Sequence, residues 1–211
     1  MCHGARTSSD RDRRDGRITD CREWLQVALS DFRSPAEKEK MVRRLPPESG
    51  LDAIGVRMKY VFDTAKEWWG IDRSHVPDML SSPWCEIRMV GVSILDFKAR
   101  SRGLHNDERR RLYGTYMAHR DLISIWDLVD RAAPRVIGRY LLDQSRRPLF
   151  ELANSSRPIE RRTAITAAFW LIREGDINDP LTLADIVVDD SSVLVTKPVG
   201  TALRVVEKVD Q

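Results

Sequence analysis

The sequence predicts an all-α fold of stacked helix pairs, and three observations predict it. No segment shows the sustained period-two alternation that a half-buried strand requires. Helix starts recur as a proline at or near the first helical position, at Ser34-Pro35, Ser82-Pro83, Pro148 and Pro158. The punctuation returns at a rhythm of about 35–45 residues, the length of a two-helix repeat. Ten or eleven short helices with brief connections are expected. Such stacks curve, and their concave face gives an extended ligand a groove. A compact helical bundle is the competing architecture.

Each element follows in chain order. Residues 1–20 carry five Arg and four Asp with almost nothing apolar. They bury too little surface to offset chain entropy and are expected to be a disordered tail. The folded domain is expected over 21–211. Asp20 is placed to cap a helix over CREWLQVALSDF, and Ser34-Pro35-Ala36-Glu37 reads as a capping box with Pro at the first helical position. PPESGLDAIG (46–55) is a loop, VRMKYVFDTAKEWW a helix ending before Gly70, and Val76–Leu80 a short helix. Ser82-Pro83 opens WCEIRMVGVSILDFKA, and Asp107 is placed to cap ERRRLYGTYMAH. Residues 124–142 form a long helical stretch interrupted by Pro134, and Pro148 starts a short helix through Ala153. Pro158 starts IERRTAITAAFWLIRE, in which Ile165, Ala168, Phe169 and Ile172 make an apolar stripe. Asn178 or Asp179 is placed to cap PLTLADIVV, and the last helix covers about 192–208.

Composition narrows the function classes. The net charge of +3 is too small to establish a nucleic-acid partner, but the charge is unevenly distributed. Arg131 to Arg173 holds nine Arg and three acids, and Glu174 to Ser192 holds six acids and no base. A basic zone beside an acidic one can orient an anionic ligand, and equally it can be an ordinary solvated surface. Cys2, Cys21 and Cys85 are too few and too far apart for a disulfide framework or a zinc-ligand motif, so reduced cytosolic thiols and no metal are expected. No apolar run approaches membrane-spanning length and no signal-peptide core is present, so no membrane partner is expected. There is no phosphate-binding loop, no GxGxxG after a strand, no HExxH spacing among the four His and no nucleophile elbow. No cofactor is expected.

Three segments carry candidate chemistry. In Ile125-Trp126-Asp127-Leu128-Val129-Asp130, Trp126 and Asp130 stand four apart and share a helix face. Pro134 has no N–H for the Asp130 carbonyl, so the helix should kink or end there. A core Trp with a capping or solvent-facing Asp is the alternative. In Pro158-Ile159-Glu160-Arg161-Arg162, tandem arginines near a helix start oppose the macrodipole. That points to a phosphate contact, or to salt bridges with Glu160 or a neighbouring helix. In Lys197-Pro198-Val199-Gly200-Thr201-Ala202-Leu203-Arg204, Lys197, Thr201 and Arg204 form a polar, basic stripe at helical spacing. Pro198 places the helix start close to itself.

The order of these segments, SPWCEIRMVGVSIL, then WDLVD with Pro four residues on, then ERRTAI, then KPVG…LR, resembles the AlkD-like family of DNA alkylation repair proteins over about residues 50–208. The resemblance implies a HEAT-like helical-repeat solenoid, an α–α superhelix whose basic concave groove holds duplex DNA. It implies a monomeric DNA glycosylase, cytoplasmic and nucleoid-associated, that hydrolyses the N-glycosidic bond of cationic N3- and N7-alkylated purines in duplex DNA. Trp126 and Asp130 match the family's active-site Trp and catalytic Asp, and Arg162 its active-site Arg. Arg161, Arg162, Lys197, Thr201 and Arg204 are the expected DNA-binding residues.

The chain departs from the pattern in four places. Thr201 stands where the family has a second active-site Trp, and Pro198 replaces a small helical residue. The early Pro-Arg is absent near Arg57–Phe62. The chain stops at Gln211 where the family continues with another helix or pair. These departures motivate an alternative, a non-catalytic DNA-structure-binding protein of the same fold. A third reading is a helical-repeat scaffold for a protein partner, for which Glu67–Trp69 and the acidic 174–192 segment are the candidate surfaces.

Overall fold

A computed structural model describes residues 20–209. The expected tail lies outside them, apart from Asp20. Among the described residues there is no strand, only two isolated bridges, Arg33 with Val56 and Asp52 with Trp84. The fold is all-α. Counting an interrupted run from Trp126 to Leu141 as one, the described residues form eleven α-helices. No helix among them is long and apolar enough to cross a membrane. The chain divides into two compact units between Ile94 and Leu95, inside a single helix.

The first unit contains α1 (Cys21–Ser30), α2 (Pro35–Val42), α3 (Met58–Glu67), α4 (Val76–Leu80) and the start of α5 (Cys85–Ala99). Asp20 caps α1 as expected, its carboxylate accepting the Arg22 amide at 2.8 Å. Leu25 and Leu29 are fully buried, and α1 packs on α3 and α4. Trp24 meets Trp68 edge-on at 5.9 Å, while the neighbouring Trp69 is exposed. The expected capping box at Ser34 does not form. Ser34 makes no side-chain cap, and Glu37 instead meets Arg57 at 3.3 Å.

The irregular segment before α3 is fixed by one buried acid. Glu86 accepts the amides of Ile54 at 3.0 Å, Gly55 at 2.7 Å and Val56 at 3.1 Å. Three N–H donors satisfy a carboxylate that water cannot reach. Gly55 has φ +93°, and a Cβ there would lie 2.7 Å from the Ser34 carbonyl, so this turn needs glycine.

The second unit contains the end of α5, then α6 (Asn106–Ala118), α7 (Trp126–Ala133), a π-turn (Pro134–Gly138), α8 (Arg139–Leu141), α9 (Arg147–Ala153), α10 (Pro158–Arg173), α11 (Asn178–Val187) and α12 (Val193–Val209). α10 is its hub and packs against α7, the π-turn, α9, α11 and α12. Of the expected stripe on α10, Ile165, Ala168 and Ile172 are buried and Phe169 is only partly so. Ile159, Thr163, Ala164 and Leu171 are buried as well, because neighbours cover the helix on several sides.

Two expected caps are corrected. Asp107 lies inside the first turn of α6, whose cap residue is His105, and it meets Arg110 at 3.1 Å. α11 begins at Asn178 after Ile177, without a side-chain cap, and the Asp179 carboxylate faces Arg146 at 3.4 Å.

The two proline expectations fare differently. Pro134 interrupts its helix as expected: the α-helix stops at Ala133 and a π-turn begins at Pro134. The turn widens so that the Arg139 amide reaches the Pro134 carbonyl, and the chain returns to α-helix. The wider turn accommodates the ring that a regular turn would reject. Gly138 closes this turn, and a Cβ on it would fall 2.1 Å from the Ala167 carbonyl, so α10 approaches backbone to backbone. Pro198 lies inside α12 rather than at its start.

The zones of opposite charge meet at two arginines. Arg146 meets Asp176 at 3.1 Å as well as Asp179, and Arg161 meets Asp190 at 2.5 Å. A fully buried acid, Asp96, gathers Arg100 at 2.7 Å, Arg131 at 3.1 Å and Arg135 at 3.4 Å.

Candidate active site

Trp126 is the first residue of α7 and Asp130 lies one turn on. Ile125, in extended conformation, ends the preceding loop, and buried Leu128, Val129 and Ala132 fix the helix's inner face. That leaves Trp126 half-buried and Asp130 with a side chain 38% exposed. The pair shares a face, as the four-residue spacing requires.

Arg162 reaches this face from the hub helix α10. Its Nε donates to Asp130 Oδ1 at 2.9 Å and its Nη2 to Oδ2 at 2.7 Å, a two-point fork that fixes the carboxylate plane. Its Nη1 donates to the Leu194 carbonyl at 2.7 Å. Pro198 stands four residues after Leu194 and has no N–H, so that carbonyl lacks its usual intrahelical donor. The guanidinium takes the missing donor's place, which explains how α12 tolerates an internal proline. The same guanidinium carbon lies 5.7 Å from the centre of the Trp126 ring. Arg162 is thus a buried tie between α7 and α12, with only 10% of its side chain exposed. Its immediate task is to position Asp130.

A cavity of about 400 Å³ opens here, lined by Trp126, Arg162, Ser192, Val193, Leu194 and Lys197. Asp130 is not among the lining residues and is held beside them by Arg162. Lys197 and Thr201 are exposed, and Arg204 donates weakly to the Thr201 hydroxyl at 3.4 Å. Thr201 Oγ1 donates back to the Lys197 carbonyl at 3.2 Å. The expected polar stripe therefore exists on α12. Thr201 presents no aromatic surface and does not line the cavity.

Arg161, although adjacent to Arg162, points elsewhere. Its Nε and Nη2 donate to Asp190 at 2.5 and 3.1 Å and its Nη1 to the Ser155 carbonyl at 2.8 Å. The Asp190 side chain is 5% exposed, and the Arg161 guanidinium holds its carboxyl below the usual carboxylate range. Glu160 is taken by Arg120 and Arg157, each at 3.1 Å.

The arrangement separates two electrostatic tasks. An indole face and a half-exposed carboxylate favour positive charge. Lys197 and Arg204, on the exposed side of α12, favour a polyanion. Sequence reasoning missed Ser192, Val193 and the Leu194 carbonyl. The proline at 198 was the available signal, because it frees the carbonyl four residues back.

A family model described as DNA alkylation repair enzyme matches residues 25–211. No curated protein matches the chain.

Proposed function

The chain belongs to the DNA alkylation repair enzyme family, and on that premise we propose that it is a monomeric, nucleoid-associated glycosylase of the cytoplasm. It releases cationic N3- and N7-alkylpurines from duplex DNA by hydrolysing the N-glycosidic bond. Asp130 and Trp126 are its catalytic residues, and Arg162 acts through Asp130. The observation that carries this reading is the half-exposed Asp130 carboxylate, held at two points by Arg162 one helical turn from Trp126 and beside an open cavity.

The chemistry follows from charge. An alkylated N3 or N7 already makes the base cationic, so it leaves with the bonding electron pair and needs no general acid. The sugar gains oxocarbenium character as the bond breaks. A carboxylate facing that sugar stabilises the growing charge, and its fixed plane avoids reorganisation at the moment of reaction. The Trp126 ring adds about 1–2 kcal/mol through its π face. Water then adds to the sugar carbon and releases a proton. Lys197, Thr201 and Arg204 contact the DNA backbone, which positions the duplex without reading sequence.

The test is incubation of the full chain with methylated duplex DNA. Free 7-methylguanine or 3-methyladenine is expected. No release by the wild type, or undiminished release by the double variant Asp130→Asn, Trp126→Ala, rejects the reading.

One observation favours a second reading. Thr201, one turn beyond Lys197 and outside the cavity lining, carries a hydroxyl bonded to Arg204 where the family has an aromatic ring. A non-catalytic binder of DNA structure would show duplex affinity falling steeply with salt and no base release. Binding that ignores salt would remove it.

A further inference from the structure

We infer that Cys21, His75 and Asp78, in the first unit, form a binding site for a zinc-type divalent transition-metal ion. The thiol, one imidazole nitrogen and one carboxylate oxygen all lie within 4.8 Å of one another. In a tetrahedral zinc site with bonds of about 2.0–2.3 Å, ligand atoms stand about 3.3–3.7 Å apart. Closing the remaining distance takes about 1 Å of side-chain movement, and His75 and Asp78 are exposed and able to move. Cys21 is the fixed corner. It is the first residue of α1, half-buried, with its Sγ 3.8 Å from the His75 carbonyl. His75 ends a 3-10 turn (Arg73–His75) and Asp78 lies three residues on in α4, so both sit on one face.

The electrostatics favour a dication. The Asp78 and Asp20 carboxylates both act on the Cys21 sulfur and attract a dication, against the nearby Arg22. The ion displaces the thiol proton when it binds. One soft sulfur, one imidazole and one carboxylate select zinc, cobalt or copper over magnesium and calcium. Three protein ligands leave the fourth position to water, the open form of a zinc site. The separation of 54 positions between Cys21 and His75 hides this set from any search by compact spacing.

The site is separate from Trp126, Asp130 and Arg162, and its test does not use DNA. The probe is Co²⁺ titrated into the full-length protein, followed by the thiolate-to-cobalt charge-transfer absorption in the near ultraviolet. One equivalent with intense absorption is expected, together with a zinc-induced rise in Tm that magnesium does not reproduce. Cys21→Ser should abolish the absorption. His75→Ala and Asp78→Asn, at exposed positions that leave the fold intact, should each weaken affinity at least about tenfold. Cys2→Ser and Cys85→Ser should retain the absorption. Absence of charge transfer at one equivalent overturns the site, as does absorption that survives Cys21→Ser or disappears in Cys2→Ser.

Discussion

Arg161 and Arg162 are neighbours on one helix, and each makes a two-point contact with an aspartate, yet the two regions they join have different characters. The Arg161–Asp190 pair is closed. Asp190 is 5% exposed and its partner 17%. The Arg162–Asp130 pair is closed on the arginine side and open on the acid side, at 10% and 38%. Consecutive residues on a helix are rotated by about 100°, so one guanidinium turns to the acidic segment before α12 and the other to α7. The same contact therefore serves packing in one direction and presents a carboxylate in the other. Ion-pair geometry alone does not identify a functional acid. What sets Asp130 apart from Asp190 is its exposure beside an aromatic face and a cavity.

The largest expected effect breaks this comparison on its open side. Asp130→Asn should cut base release about 10²–10³-fold, the size of losing a preorganised charge-stabilising group. Its cost in stability should stay below that of losing the acid outright, at about 1–2 kcal/mol, because Asn keeps an oxygen that accepts from the buried Arg162. Activity assays with urea unfolding check both halves. Equal rates in variant and wild type would show that the open carboxylate is idle.

The matching change on the closed side should do the reverse. Asp190→Ala leaves Arg161 buried without its acid and should cost about 3 kcal/mol, while base release per folded molecule stays within about twofold. The pH dependence carries a definite sign. The folded Asp190 carboxyl lies below its ordinary value, chiefly through the Arg161 hydrogen bonds. The pair's stabilisation is therefore fully present above the unfolded aspartate value of about 3.9. It is lost as pH falls through the lower folded value. Unfolding curves of wild type and Asp190→Asn should differ at pH 7 and converge in strong acid. A gap that widened on acidification would contradict the assignment.

The two sides were not equally legible in the sequence. The helices, the shared face of Trp126 and Asp130, and the polar stripe of α12 follow from short-range spacing, and the structure has them. The partners of Arg161 and Arg162 do not follow. They lie 29 and 32 residues away, and only packing around α10 brings them in. The nine-arginine zone read as a possible anion platform, whereas many of those cations face acids from the next segment or the buried Asp96. Pro134 read as an interruption and Pro198 as a helix start, because local rules count the lost hydrogen bond. A widened turn in one case and an arginine from another helix in the other compensate for it, and neither is a local property. Glu86 lies in the SPWCEIRMVGVSIL segment, but its neighbours in sequence do not announce a buried acid, and only the fold shows its three amide donors.

A smaller effect sharpens the open side. Trp126→Ala should slow release about 5–30-fold, the rate equivalent of 1–2 kcal/mol of ring–cation stabilisation. Trp126→Phe should recover part of it, since a smaller ring keeps a weaker π face. Loss of the ring also exposes Arg162 to water, so the pH profile and KM should be measured with kcat. A change confined to KM would assign Trp126 to binding alone.

The smallest effect concerns Thr201, which lies one turn beyond Lys197 and outside the cavity lining. Thr201→Trp removes the hydroxyl that Arg204 contacts and adds an aromatic plane on the exposed side of α12, opposite the sense of every loss above. If a second π face can stabilise the same cationic sugar, release should rise about two- to fivefold, the equivalent of 0.5–1 kcal/mol at an exposed site. Freed Arg204 should keep its backbone contact, so duplex affinity and its salt slope should hold constant. A faster rate at unchanged affinity places the added ring at the reacting sugar. Tighter binding at an unchanged rate places it along the duplex backbone, and the open region would then end at Lys197.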